Sequence, residues 1–447
     1  MYALKKDDYK IYYIWLSSAI NRSYAVYREL VEAFGSVYDI YTADCDDYAY
    51  LGGRAERYIE ALCDKNISDA VKITDYCSLS GISIVTYEDE VYPSLLKDIE
   101  NPPLVLYIRG KMPDFERKLH IAVVGTRSMT DYGKCVAYNI GYSLSKNGAV
   151  VVSGMALGND SVAMCAALDA GAGCIGVLGC GVDIAYPPQH AYFMRQVANK
   201  GALISEYPPG TRAEPKHFPQ RNRIISGLCR ATLLVEGDKK SGAMITARCA
   251  EAQGRKLYAV PGKVGERSSE GALALIGEGA AVATCANDIL KEYAFLYRGK
   301  IDLRTHEEYS SEKIDTLLSA REIKAGKTKI DAPRPPSRQT SGQGQRTESK
   351  KESNRPVRVS IFDSFKLKTK KSAESTEDLA GNEKQNKTAC LSPELLRVYE
   401  KLPKNEIFAA DDAEKYGVSV KEFLSAVTML EIYGLARAYP GGRYTVE

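Results

Sequence analysis

The segment His217-Phe-Pro-Gln-Arg-Asn-Arg-Ile-Ile-Ser-Gly-Leu228, reached through Lys216, gathers the side chains best suited to chemistry in this chain. Three cations (Lys216, Arg221, Arg223) stand with an imidazole (His217), a ring (Phe218) and an amide (Asn222). Unpaired charge is costly to bury, so a basic cluster on the lip of a helix is poor core material. It suits phosphate, because arginine offers a rigid fork of donors and a helix start adds N–H groups. An ordinary solvated basic face would have the same composition. The segment turns apolar at Ile224, Ile225 and Leu228, which predicts a short buried helix. It continues through Ala231-Thr-Leu-Leu-Val-Glu236, which predicts a buried strand.

The elements that must position this cluster alternate between strand and helix patterns over residues 119 to about 295. Strands are predicted at His120–Gly125, Ala149–Ser153, Cys174–Leu178, Ala202–Ser205, Ala231–Glu236 and Lys256–Val260. Helices are predicted at Tyr132–Lys146, Asp160–Ala170, Gln189–Asn199 and Ala243–Gln253. Such βα units imply an α/β fold, a parallel sheet with helices on both faces. Glycine-rich loops follow the strands: Gly125-Thr126-Arg127, Gly154 to Gly158, Gly179-Cys-Gly181, Ser241-Gly242 with Thr246, and Pro261-Gly262-Lys263. In a parallel sheet these loops share the carboxyl edge, where ligands bind beside helix starts. None is a dinucleotide or Walker fingerprint, so the signal lies in their convergence on phosphate recognition. Asp160, Asp183 and Glu206, near strand ends, are expected to cap helices or orient the basic side chains. No metal-ligand constellation and no nucleophile–base set stands out, and no cofactor is expected.

Hydrophobic content of 45% and charged content of 26% are ordinary globular values, and 447 residues suggest two to four domains. The net charge of +3 says little beside its distribution. No stretch approaches a membrane span and the first residues lack the order of a signal peptide. The 11 cysteines are scattered without a C-x-x-C pair, which implies reduced thiols in a cytoplasm rather than a disulfide framework.

Residues 1–80 predict a small helical domain, with Gly35 as a helix stop, a helix over Gly53–Asp64 and another over Ser68–Ser80. Lacking the basic double-glycine turn of a helix-hairpin-helix, it is expected to pack or self-associate rather than touch DNA. Ile82–Tyr87 and Leu104–Ile108 read as strands leading into the core, which is taken as 81–297. Residues 298–389 are expected to form a disordered basic linker: Lys324 to Lys387 carries 16 Lys/Arg against 8 Asp/Glu. Within it, Ser360-Ile-Phe-Asp-Ser-Phe365 is an apolar island. Residues 390–447 predict helices at Pro393–Leu402, Ala410–Tyr416 and Val420–Tyr433 and then a hairpin, a winged-helix-like arrangement. Its third helix carries Lys421 alone, poor for reading a groove.

Several ordered motifs resemble the DNA-processing protein A (Smf) family: Ile121-Ala-Val-Val-Gly-Thr-Arg127, Ser153-Gly-Met-Ala-Leu-Gly158, Val177-Leu-Gly-Cys-Gly-Val-Asp183, Ile204-Ser-Glu-Tyr-Pro-Pro-Gly210, Phe218-Pro-Gln-Arg-Asn-Arg-Ile-Ile225, Ser241-Gly-Ala-Met-Ile-Thr-Ala247 and Ala259-Val-Pro-Gly262. The resemblance implies an extended Rossmann-like core that binds single-stranded DNA without catalysis, protects incoming strands in transformation, loads the RecA recombinase and self-associates as a homodimer. It places Arg127, Lys216, Arg221 and Arg223 in the family's basic pocket. The chain departs from the usual Gly-Ile-Asp and Ala-His of the second loop, having Asn159-Asp160 and Ala163-Met164. Arg127→Ala or Arg221→Ala is expected to weaken binding to all sequences alike with the fold intact. Two alternatives stand beside this reading. One is a nucleotide-processing, phosphoribohydrolase-like enzyme, whose P-G-G-x-G-T-x-x-E stretch is missing after Pro261-Gly262. The other is an adaptor acting mainly through protein contacts.

Overall fold

The computed structural model describes residues 9–321 and, towards the C-terminus, residues 393–403, 407–419 and parts of 422–446. The chain divides into two compact units, Met1–Pro336 and Ser337–Glu447. The first is built on a nine-stranded sheet. Its strands are β1 (Ile82–Thr86), β2 (Val105–Gly110), β3 (His120–Val124), β4 (Val150–Ser153), β5 (Ile175–Val177), β6 (Ala202–Ser205), β7 (Ala231–Leu234), β8 (Lys256–Ala259) and β9 (Ala281–Val282). The order is β1-β2-β6-β5-β4-β3-β7-β8-β9. From β6 to β9 every pairing is parallel; β1 and β2 form an antiparallel pair that joins β6. Strand order reverses at β3, where Ile121 pairs Val151 on one side and Ala231 on the other. The six core strands predicted from sequence are all present, one or two residues shorter in most cases. The sheet is extended by β1, β2 and the short β9.

Continuous apolar strands such as Ile121-Ala-Val-Val124 are buried on both faces, as parallel strands must be. One face packs against α8 (Asp131–Lys146), α9 (Asn159–Asp169) and α10 (Ala191–Lys200), whose Leu144, Val162 and Phe193 share a core with the sheet. The other face packs against α7 (Ser94–Lys97), α11 (His217–Gly227), α12 (Gly242–Ala252) and α13 (Glu270–Gly277), through Leu96, Ile224, Ile225, Ala247 and Leu275. The N-terminal helices are α1 (Tyr9–Ala19), α2 (Tyr24–Phe34), α3 (Val37–Thr42), α4 (Cys45–Tyr48), α5 (Ile59–Cys63) and α6 (Ser68–Leu79). They share one continuous core with the sheet, joining Tyr13, Trp15 and Leu30 to Ile82, Leu104 and Tyr107. Gly35 stops α2 in a left-handed conformation, φ +97°, its N–H donating to the Val31 carbonyl.

Three differences from the sequence reading have physical causes. Asn21 and Arg22 both take positive φ, 49° and 60°, which breaks the expected N-terminal helical run into α1 and α2. Cys45 and Cys63, with Cα atoms 5.3 Å apart, are joined as a disulfide despite their scattered spacing; eight other described cysteines are free. Order also continues past residue 297: α14 (Ala286–Tyr293) is followed by a segment that leads to α15 (Ser311–Ala320), which lies against α8. Lys134 pairs with Asp315 at 2.7 Å, Arg321 pairs with Asp169, and Tyr309 packs on Tyr138 and Tyr142. The charged run that follows, and the island Ser360–Phe365, lie outside the described residues.

The second unit contains a helix at Pro393–Lys401, a 3-10 helix at Ala410–Tyr416 and a three-stranded antiparallel sheet of Ile407–Ala409, Arg443–Val446 and Ala436–Tyr439. Of the expected third helix, Glu422, Phe423, Ala426, Val427 and Leu430 are described and helical. Phe423, Val427 and Leu430 bury with Tyr399, Leu402 and Val446. The strand Ile407–Ala409 was absent from the sequence reading. Among the described residues no helix is long and apolar enough to cross a membrane.

His120, at the buried start of β3, provides a pH test of the core. Burial holds its imidazole down to about 4, and its Nδ1 lies 3.0 Å from the Lys118 carbonyl. The unfolded chain takes up this proton below about 6.5, so acidification favours unfolding between those values. Unfolding free energies from urea titrations at pH 7 and pH 5 should differ by about 2 kcal/mol from this group, a difference that a folded His120→Gln variant lacks.

Candidate nucleic-acid interface

At the carboxyl edge, where strand order reverses, the loops after β3, β4, β5, β6 and β7 enclose a pocket of about 720 Å3. Gly125, Thr126 and Arg127 line it from the first loop, Arg221 and Asn222 from α11, and Ser241, Gly242 and Thr246 from the start of α12. Tyr186, Phe218, Pro219 and Ile245 supply an apolar wall.

Arg127 is exposed at this pocket, with its guanidinium carbon 6.0 Å from the centre of the Phe218 ring. Among the described residues it has no ion-pair partner. The Phe218 ring is half-buried and lies 4.9 Å from that of Tyr186, so one face of the pocket is aromatic beside a free cation. Ser241 caps α12, accepting from the Met244 N–H, and the first-turn residues Gly242 and Ala243 line the pocket. A helix start so placed favours an anion.

The loops do not all contribute bare N–H groups, as their glycines had suggested. The Asp160 carboxylate accepts from Gly125 N–H at 3.3 Å and Gly154 N–H at 3.1 Å. Thr126 N–H donates to the Glu236 carbonyl and Asn159 N–H to the Thr126 carbonyl. Gly154 and Gly158 hold these loops together rather than line the pocket. A Cβ on Gly158, where φ is +87°, would stand 2.2 Å from the Thr126 carbonyl oxygen, and one on Gly154 would stand 2.7 Å from Arg221 Nη2. Asn159 is buried with its Nδ2 donating to the Gly133 carbonyl, and Met164 is core; neither lines the pocket.

The basic cluster of α11 separates into different roles. Arg221 is 4% exposed and donates to the carbonyls of Gly154, at 2.8 Å, and Val177. Burial pulls its guanidinium down to about 10, opposed by the nearby Asp160 carboxylate. The same burial raises the Asp160 pKa, which Arg221 and the loop N–H groups oppose. Arg221 thus forms the pocket floor and ties the ends of β4 and β5 together. Its replacement is therefore expected to disturb the fold, where the sequence reading expects the fold to stay intact. Asn222 is buried and donates to the Gly242 carbonyl at 3.2 Å.

Arg223 faces away from the pocket. It pairs with both oxygens of buried Glu206, at 2.9 and 2.7 Å, and donates to the Asn101 carbonyl. Lys216 is exposed and pairs with Glu214 at 2.8 Å, and Lys263 with Glu266 at 3.4 Å; neither lines the pocket. His217 is 4% exposed, its ring stacked 4.1 Å from Tyr207 and its Nδ1 3.2 Å from the Gly179 carbonyl. Burial lowers its pKa, and with Tyr207 already on one face it is no platform for a base. Asp183 accepts from Gly210 N–H at 2.9 Å, and Glu236 from the N–H and hydroxyl of Thr130, the cap of α8. The carboxylates near the strand ends thus have protein partners. Of this apolar wall the sequence singled out Phe218 alone; Pro219 and Ile245 lie in the quoted motifs, and Tyr186 lies just beyond the one that ends at Asp183.

Residues 83–294 match the family described as DNA recombination-mediator protein A. The DNA processing protein DprA of Bacillus subtilis (strain 168) is 39% identical over 212 residues, 47% of this chain and 71% of that protein. The DNA processing protein DprA of Streptococcus pneumoniae (strain ATCC BAA-255 / R6) is 33% identical over 298 residues, 65% of this chain and 100% of that protein. The X-ray structure of DprA from Streptococcus pneumoniae superposes with a TM-score of 0.56 at 30% identity, covering 63% of this chain and 97% of that one. The matched residues 83–294 include the reversed sheet edge and its loops, and the chain belongs to the DNA processing protein A family.

Proposed function

We propose that this chain binds single-stranded DNA at the carboxyl edge of its sheet, as a mediator of recombination without chemistry of its own. The observation that carries this reading is Arg127, a free guanidinium beside the Phe218 ring at a pocket with an apolar wall. A single strand offers both phosphate and uncovered bases to such a surface, whereas a duplex hides its bases in the stack. Hydrolysis of a nucleotide would need a carboxylate free to face the sugar. Asp160, Glu206 and Glu236 are instead bound to donors of the protein.

Membership of the family supports a finer reading, in which the protein shields incoming strands in natural transformation and passes them to the RecA recombinase, acting as a homodimer in the cytoplasm. Fluorescence anisotropy with a labelled oligonucleotide and its duplex tests the binding. Single strands should bind more tightly, with log affinity falling against log salt by about 0.7 per phosphate contacted. Equal affinity for the duplex, or a flat salt dependence, would overturn the reading. RecA filament formation on strands pre-coated with a single-strand binding protein tests the loading step, and unchanged filament formation on adding this protein would exclude it.

A further inference from the structure

A second groove, also of about 720 Å3, lies on the other side of α11, between the N-terminal helices and the core. It is lined by the α1–α2 turn (Asn21 to Ala25), by Arg54 and Tyr58, and on the core side by Asn101, Gln220 and Arg223. The turn is unusual. Asn21 and Arg22 are consecutive left-handed residues without being glycine, a conformation that is unfavourable for a long side chain such as arginine and persists only where its surroundings impose it. Here the Arg22 N–H donates to the Ser17 carbonyl at 2.7 Å and the Tyr24 N–H to Asn101 Oδ1 at 3.0 Å. The result is to lay the Arg22 guanidinium over the Tyr207 ring, 4.9 Å from its centre.

Charge in the groove is balanced in number but not in availability. Glu206 is held by Arg223, Glu32 by Arg28, and Glu29 accepts the N–H groups of Arg54 and Ala55. Glu100 is exposed. Among the described residues neither Arg22 nor Arg54 has an ion-pair partner; the Arg22 side chain makes one contact of 3.4 Å to its neighbour Asn21. Two arginines are therefore free to meet phosphate. Arg22 also adjoins the first site, because Tyr207, beneath it, stacks on His217, and the next residue, Phe218, walls the core pocket.

We propose that the groove is a second segment of the DNA track: a single strand held in the core pocket crosses the start of α11 and is gripped again, by its phosphates, by Arg22 and Arg54. This rests on the strand-binding reading of the core pocket. It gives the N-terminal helices a part in DNA contact, where their sequence suggests only packing.

The test is an anisotropy titration of the full-length protein against oligothymidylates from about 6 to about 20 nucleotides, each at several salt concentrations. The variants are Arg22→Asn/Arg54→Ala, Arg22→Lys and Arg127→Ala; asparagine tolerates the left-handed turn. Wild-type affinity should climb with length. The double variant should match wild type on the shortest strands, fall about ten-fold below it on the longest, and lose about 1.4 from the salt slope there, two contacts' worth. Arg22→Lys should retain the length gain, and Arg127→Ala should weaken every length. A folded double variant equal to wild type at all lengths would overturn the second segment while leaving the core site standing. Arg22→Lys as weak as the double variant on the longest strands would mark the turn as structural and overturn it too. No single-strand binding by wild type would overturn both readings at once.

Discussion

Arg221→Ala should destabilise the first unit by about 3–5 kcal/mol, the cost of leaving one partner of a buried charge pair uncompensated. Asp160 would remain buried with its charge opposed only by loop N–H groups, and the carbonyls of Gly154 and Val177 would lose a donor. Urea denaturation at pH 7 measures the effect. An Asp160→Asn/Arg221→Met pair should lose less stability than the sum of its single variants, since the stranded carboxylate is then gone. A midpoint for Arg221→Ala within about 0.5 kcal/mol of wild type would contradict the structural role and return Arg221 to the set of freely available phosphate ligands.

Arg127→Ala should leave stability within about 0.5 kcal/mol of wild type, because the side chain is exposed and has no ionic partner among the described residues. Its effect should fall on DNA. One charge-assisted hydrogen bond contributes roughly 1.5–3 kcal/mol, so single-strand affinity should drop about 10- to 100-fold. The loss should be similar for unrelated sequences, since phosphate carries no sequence information, and the salt slope should shrink by about 0.7. Anisotropy with three oligonucleotides of different composition is the measurement. Undiminished binding in the folded variant would remove the pocket mouth from the interface and direct attention to the segments beyond residue 321.

The contrast between these two arginines shows what the sequence could reveal. Strands such as His120–Val124 and Ala231–Leu234 were legible because runs of apolar residues bounded by glycine have few other uses in an α/β chain. The carboxyl-edge loops were legible for the same reason. Which way each side chain of α11 faces was not. Arg221 and Arg223 lie roughly 200° apart around the helix, and each has found a carboxylate distant in the chain, Asp160 and Glu206. Composition cannot distinguish them from Arg127, which has none among the described residues. The stacking of His217 on Tyr207 and the left-handed turn at Arg22 are likewise set by tertiary contact, and no local pattern announces them. In the N-terminal region, the sequence announced the helices and the stop at Gly35 but not the break at Asn21 and Arg22.

The placement of α11 between pocket and groove has a consequence for how this stretch can change. Phe218, Arg221 and Asn222 face one cavity while Gln220 and Arg223 face the other, so the five residues encode two surfaces in a single helical phase. A point substitution removes one contact and leaves the remainder in place. An inserted or deleted residue turns everything beyond it by roughly 100°. That would carry Arg221 off Asp160 and Arg223 off Glu206 together, leaving two buried carboxylates bare and neither surface intact. Length in this segment is therefore under tighter constraint than identity.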